Sequence, residues 1–165
     1  VNRSIYRLWN NTYTGGDIDT IEIKCETERN NEVIDNYRVV MIKNGVEMNM
    51  NKTCSAGQKM LASIIIRLAL AEIFCASCKI IALDEPTTNL DHNNASSLAS
   101  SLIKLLKEKT KPNGKPYQMI IITHNKDFYQ EMLKNSGIEK FYQITKAIDG
   151  NQKYSKIDQL EYIYE

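Results

Sequence analysis

At 165 residues, 42% hydrophobic and 25% charged, the chain is long enough for one domain with a sizeable core, and its composition excludes a collagen-like or low-complexity protein. Its 21 basic and 20 acidic residues leave a net charge of +1, which excludes nucleic-acid binding through a global field and leaves only a local patch. The most apolar stretch, Leu61 to Phe74, is broken by Ser63, Arg67 and Glu72 and is shorter than the ~20 apolar residues that span a bilayer, so it reads as a buried helix.

No basic-then-apolar leader opens the sequence, and an intracellular location is expected. Cys25, Cys54, Cys75 and Cys78 are too few and too scattered for a secreted disulfide framework. Cys75 and Cys78 form a C-x-x-C, but a closed zinc site needs four ligands and no second pair exists, so packing is the expected role.

In chain order, Ser4 to Tyr13 carries Ile5, Leu8, Trp9 and Thr12 at helical spacing and is stopped by Gly15 and Gly16. Ile18 to Cys25 alternates, and Tyr37 to Ile42 is β-branched and aromatic; the two are expected to pair antiparallel across the polar Glu26 to Asn36, with a turn at Asn44-Gly45. From Ser55 the pattern changes to long helices alternating with short apolar strands, which predicts α/β architecture with a mostly parallel sheet flanked by helices. The expected elements are a helix Gly57 to Cys75, a strand Ile80 to Leu83 and a helix His92 to Lys109 with the stripe Ala95, Leu98, Leu102, Leu105 and Leu106. A strand Met119 to Ile122, a helix Lys126 to Leu133 and a final strand Phe141 to Ile144 complete the set, and the tail from Asp149 has no assigned element.

Four short motifs fall at or near junctions between these elements. The strand Ile80 to Leu83 runs into Asp84 and Glu85, at the strand end where open α/β sheets bind ligands. Asp84 suits Mg²⁺, which takes one or two carboxylates plus phosphate oxygens, and Glu85 is then free to orient or deprotonate water. A buried strand followed by a solvated acidic turn explains the same residues. Cys54-Ser55-Ala56-Gly57-Gln58 precedes a long helix whose first N–H groups could receive a phosphate; equally, Ser55 is a plain N-cap. His124 follows Met119 to Ile122 and could donate to a phosphate, or be merely structural. Asp91, in the turn Pro86 to Asp91, is a natural helix cap.

These elements in this order resemble the ATP-binding cassette family: signature Ser55-Ala56-Gly57-Gln58, Walker B Ile80 to Asp84, then Glu85, D-loop Asn89-Leu90-Asp91 and switch His124. A Walker A loop, G-x-x-x-x-G-K-[ST], is not in the sequence; the one Gly-Lys pair, Gly114-Lys115, lacks the earlier glycine and is followed by proline. A separate first lobe suits the SMC-like ATPases, and the residues around the signature and D-loop are similar to the DNA double-strand-break repair branch of that group.

The resemblance implies the C-terminal lobe of an ABC-type head, with 1–14 the end of a coiled-coil helix, 15–148 the lobe and 149–165 a tail. It implies ATP and Mg²⁺ as cofactors, with Asp84 on the metal, Glu85 and His124 catalytic, and Ser55, Ala56, Gly57, Gln58 and Asp91 toward nucleotide. It further implies an N-terminal lobe, a second copy, DNA and a partner nuclease (the Mre-eleven protein in that family) as partners, no membrane, and a nuclear location. Arg67 matches a family arginine on the signature helix. Zinc is implied only at a coiled-coil hook absent from this sequence, which Cys75 and Cys78 cannot be. Ala56 stands where the common signature has glycine, and a helical backbone is expected there. The alternatives are a stand-alone cassette such as a transporter's, and a DNA-tethering module using Lys104, Lys107, Lys109, Lys111 and Lys115.

Overall fold

A computed structural model of the chain describes residues 1–27, 35–74, 80–109, 118–150 and 152–162. Helix α1 (Asn2–Thr12) buries Ile5, Leu8, Trp9 and Thr12 on a single stripe, as their spacing requires. Strands β1 (Thr20–Thr27) and β2 (Asp35–Lys43) pair antiparallel, Ile21 opposite Met41 and Ile23 opposite Val39. Asn44 and Gly45 both take positive φ, 49° and 74°, the requirement of a two-residue type I′ turn that Asn-Gly meets at little cost. That turn feeds β3 (Val46–Asn49), a third strand the pattern does not predict, being four residues long and mostly exposed.

A short helix α2 (Met50–Thr53) leads to α3 (Ala56–Phe74), which buries Leu61, Ala62, Ile64, Ile65, Leu68 and Ala69. Then follow β4 (Ile80–Asp84), α4 (His92–Lys109), β5 (Gln118–Ile122) and α5 (Lys126–Ser136). Strands β4 and β5 run parallel with Asp84 opposite Ile122, so β4–α4–β5 is a βαβ unit. The α4 stripe is as expected for Ala95, Leu98, Leu102 and Leu105; Leu106 is only half-buried, and Ala99 and Ile103 join the core instead.

The expected final strand is real but longer and differently paired. Strand β6 (Lys140–Asp149) forms an antiparallel hairpin with β7 (Gln152–Glu161), so the segment after Asp149 continues as a strand. Among the described residues, parallel pairing is confined to β4 and β5, beside two antiparallel sheets. The reason is local: the turn at Gly150, with φ 58°, returns the chain at once, and a near neighbour in sequence closes the smaller loop.

One core joins α1, α3, α4, α5 and the first sheet, with Trp9, Leu61, Ile65, Leu98, Leu102 and Phe128 at its centre. Arg7 reaches from α1 to both carboxylate oxygens of Glu72 on α3, at 2.9 and 3.1 Å. Among the described residues two apolar surfaces are left uncovered. On β4–β5, Ile81, Leu83, Met119 and Ile121 pack on the core while Ile80, Ile120 and Ile122 face outward. On the hairpin, Tyr142, Ile144, Ile148 and Ile157 share one face and are each more than 60% exposed. No described helix is long and apolar enough to cross a membrane.

Candidate functional site

The signature turn is built as a reciprocal cap. The Ser55 hydroxyl accepts from the Gln58 N–H at 3.2 Å, and Gln58 Oε1 accepts from the Ser55 N–H at 2.8 Å. The N-cap role expected of Ser55 is therefore present, and its exposed hydroxyl still has a proton to donate outward. Ala56 opens α3 and is not among the positive-φ residues, so alanine is unstrained there. Gly57 has a steric reason of its own: a Cβ at this position would sit 2.5 Å from the Asn89 carbonyl oxygen. The signature helix and the D-loop thus touch backbone to backbone.

At the end of β4, Asp84 is exposed and Glu85 takes φ 46°, a region non-glycine residues rarely occupy. Neighbours on both sides over-determine that conformation. The Glu85 N–H donates to the Ile122 carbonyl at 2.9 Å, and its own carbonyl accepts from the Thr88 N–H and hydroxyl at 3.2 and 3.1 Å. Glu85 Oε2 is buried, and among the described residues no donor meets it with hydrogen-bond geometry although His124 Nδ1 lies 2.8 Å away. His124 itself is well exposed. Its backbone is fixed from both sides: Thr123 Oγ1 accepts from the Asn125 N–H at 3.1 Å, and Asn125 Oδ1 caps α5 through the Phe128 N–H at 3.0 Å.

Asp91 caps α4. Its Oδ1 accepts from the Asn94 N–H at 2.9 Å and its Oδ2 from the Asn94 side-chain amide at 2.6 Å. The Asn94 N–H, then its amide, hold this carboxyl below the usual carboxylate range. Both oxygens are thus engaged within their own loop.

The sequence-predicted residues fall into two groups. Glu85 and His124 meet; Gly57 meets Asn89; and among the described residues no hydrogen bond or ion pair joins Ser55 or Gln58 to Asp84, Glu85 or His124. Arg67 lies exposed on α3. Lys104 is exposed and Lys107 donates to the Asn135 carbonyl at 3.0 Å; Lys111, Lys115, Cys75 and Cys78 lie outside the described residues. No cluster of three or more metal-ligating side chains occurs among the described residues.

Two residues without a predicted role adjoin the signature. Tyr13, at the end of α1, donates to Asp17 Oδ1, and Gln58 Nε2 donates to both Tyr13 Oη and Asp17 Oδ2 at 2.8 Å. Burial, and then the bond to Asp17, push the Tyr13 hydroxyl up to about 12; the Tyr13 hydroxyl in turn lowers Asp17. The spacing of Ser55 and Gln58 signals the reciprocal cap and not these two partners, which lie more than forty residues away.

This order of signature helix, acidic strand end, D-loop and switch histidine on an α/β scaffold is the C-terminal lobe of an ABC-type ATPase head. A solved SMC ATPase, from work on ATP-driven dimerisation and DNA-stimulated activation of SMC ATPases, has this fold: TM-score 0.62 at 16% identity, over 96% of this chain and 82% of that one. Residues 33–106 match the family model described as SbcC/RAD50-like, Walker B motif. The DNA repair protein RAD50 of Dictyostelium discoideum is 48% identical over 88% of this chain, and that of Saccharomyces cerevisiae 47% over 93%. The chain belongs to the RAD50 family. It spans 11% and 12% of the length of those two relatives.

Proposed function

We propose that this chain is the C-terminal half of the ATPase head of a DNA double-strand-break repair protein, an ATP-dependent clamp. The observation that carries the reading is Glu85: a carboxylate held at positive φ at the end of β4, 2.8 Å from His124 and next to exposed Asp84. A carboxylate fixed at a strand end beside a histidine is suited to orienting or deprotonating a water. The residues also fit a magnesium nucleotide. Asp84 is exposed at the strand end and would hold Mg²⁺, while Ser55 keeps a hydroxyl proton for a phosphate oxygen. When bound, the ion neutralises phosphate charge. Asp84, Glu85 and His124 serve this head's own nucleotide; Ser55 and Gly57 address the one held by a second copy. Asp91 acts there through the shape of its loop.

The Walker A loop is supplied by an N-terminal lobe, which covers the apolar outer face of β4–β5. The support is that no such loop is in this sequence and that the relatives are many times longer. Closing two heads over ATP alters DNA binding and the access of the Mre-eleven nuclease to DNA ends, in the nucleus. Hydrolysis requires both lobes and a second head. The test is Glu85→Gln in the complete head. Hydrolysis is expected to fall by about a hundredfold or more while the ATP-bound dimer accumulates, as measured by turnover and sedimentation. A variant that hydrolyses normally, or never accumulates as a dimer, refutes the reading.

A further inference from the structure

We infer that Tyr13 and Asp17 are positioning residues that set the signature turn through Gln58, and that Gln58 is not itself a phosphate ligand. The inference rests on the clamp reading above, because it concerns the turn that addresses the second head's nucleotide.

A primary carboxamide has two N–H donors and one carbonyl. Gln58 uses them all: Nε2 donates to Tyr13 Oη and to Asp17 Oδ2, both at 2.8 Å, and Oε1 accepts from the Ser55 N–H at 2.8 Å. The partners fix which end is which. The Tyr13 hydroxyl gives its proton to Asp17, so its oxygen faces Gln58 as an acceptor. The Asp17 carboxylate accepts and the Ser55 N–H donates, which leaves one orientation of the amide. Phosphate oxygens at neutral pH accept, and Gln58 has no donor left for them.

What the network does is locate Ser55. Its N–H is anchored on Gln58 Oε1 and its hydroxyl oxygen receives the Gln58 N–H, so the remaining hydroxyl proton has a restricted set of directions. The far end of the network is rigid. The Tyr13 ring stacks on Trp9, with centroids 4.5 Å apart, and Trp9 is 1% exposed at the core's centre with Nε1 directed at the Ile18 carbonyl. Asp17 adjoins buried Ile18. The signature is therefore referenced to the core through side chains more than forty residues away in sequence.

The test uses the full-length protein and three readouts: ATP-dependent association of heads, affinity of a single head for a fluorescent ATP analogue, and unfolding temperature. Tyr13→Phe keeps the ring stack and removes the hydroxyl. Association is expected to weaken about five- to tenfold, with single-head affinity and unfolding temperature unchanged. Asp17→Asn keeps one of the two acceptor oxygens that Tyr13 and Gln58 use and should fall between wild type and Asp17→Ala, which should match Tyr13→Phe. Because the effect passes through Gln58, Tyr13→Phe combined with Gln58→Ala should be no weaker than Gln58→Ala alone. Should Gln58→Ala lower the unfolding temperature, Gln58→Met, closer in shape, takes its place. If Gln58→Ala weakens association while Tyr13→Phe and Asp17→Ala do not, or if the two losses multiply, the inference is overturned and Gln58 is a ligand. A wild type that fails to associate on adding ATP overturns the clamp reading, and this inference with it.

Discussion

The two ends of the site are finished to different degrees. At the signature end, Ser55, Gln58, Tyr13 and Asp17 satisfy one another through bonds that all lie within the described chain. At the Walker B end, Asp84 and His124 stand exposed, Glu85 has a poorly satisfied oxygen, and the sheet behind them shows Ile80, Ile120 and Ile122 to solvent. On the clamp reading proposed above, the half-site for a second copy's nucleotide is prefabricated, and the half-site for this head's own nucleotide is completed by parts from elsewhere. A surface that must recognise a partner gains from being rigid before they meet.

The contrast can be broken in four ways beyond Glu85→Gln. The largest structural effect should come from cutting into the shared core. Leu102→Ala, fully buried on α4, is expected to cost about 2–5 kcal/mol in urea unfolding of this chain, whereas Ile144→Ser on the open hairpin face should change it by less than about 0.5 kcal/mol. An equal cost at both positions would mean the hairpin face is already covered. Next, Gly57→Ala forces a methyl toward the Asn89 carbonyl and should cost about 1–3 kcal/mol despite alanine's better helix propensity. A neutral result would show that the D-loop yields easily. Asp91→Ala removes the α4 cap, at an expected cost of about 1 kcal/mol by the same unfolding measurement.

The smallest effect is in alkali. Burial and the Asp17 bond raise the Tyr13 hydroxyl from 10.0 to about 12, so the protonated form is favoured in the folded state. Stability is therefore untouched by this ionisation below pH 10 and is lost as pH rises through about 12, where the buried hydroxyl must ionise. Tyr13→Phe should flatten that part of the stability profile, and a profile identical to wild type would remove the group from the network.

Much of this was legible because it is local. Ser55, Asp91 and Asn44-Gly45 have roles set by backbone geometry over three or four residues, and the structure places each in an N-cap or turn. The amphipathic stripes of α1 and α4 were equally readable, since burial follows a 3.6-residue period. What escaped is either weakly patterned or long-range. Strand β3 is too short to alternate, and β7 is polar and exposed along most of its length, held by pairing with β6 rather than by burial. The contacts of Gln58 with Tyr13 and Asp17, of Gly57 with Asn89 and of Glu85 with His124 join distant stretches, and no local signal announces them. The positive φ of Glu85 was hidden for another reason: nothing in its residue type favours it.

The tie of Arg7 Nη2 to both carboxylate oxygens of Glu72 has a mechanical consequence. Glu72 lies near the last turn of α3 and Gln58 near its first, while Arg7 lies mid-helix on α1 and Tyr13 just past its end, so the two helices run antiparallel and are fastened at two separated points. A tensile load along α1 meets both fastenings in shear, to be ruptured together rather than unzipped in turn.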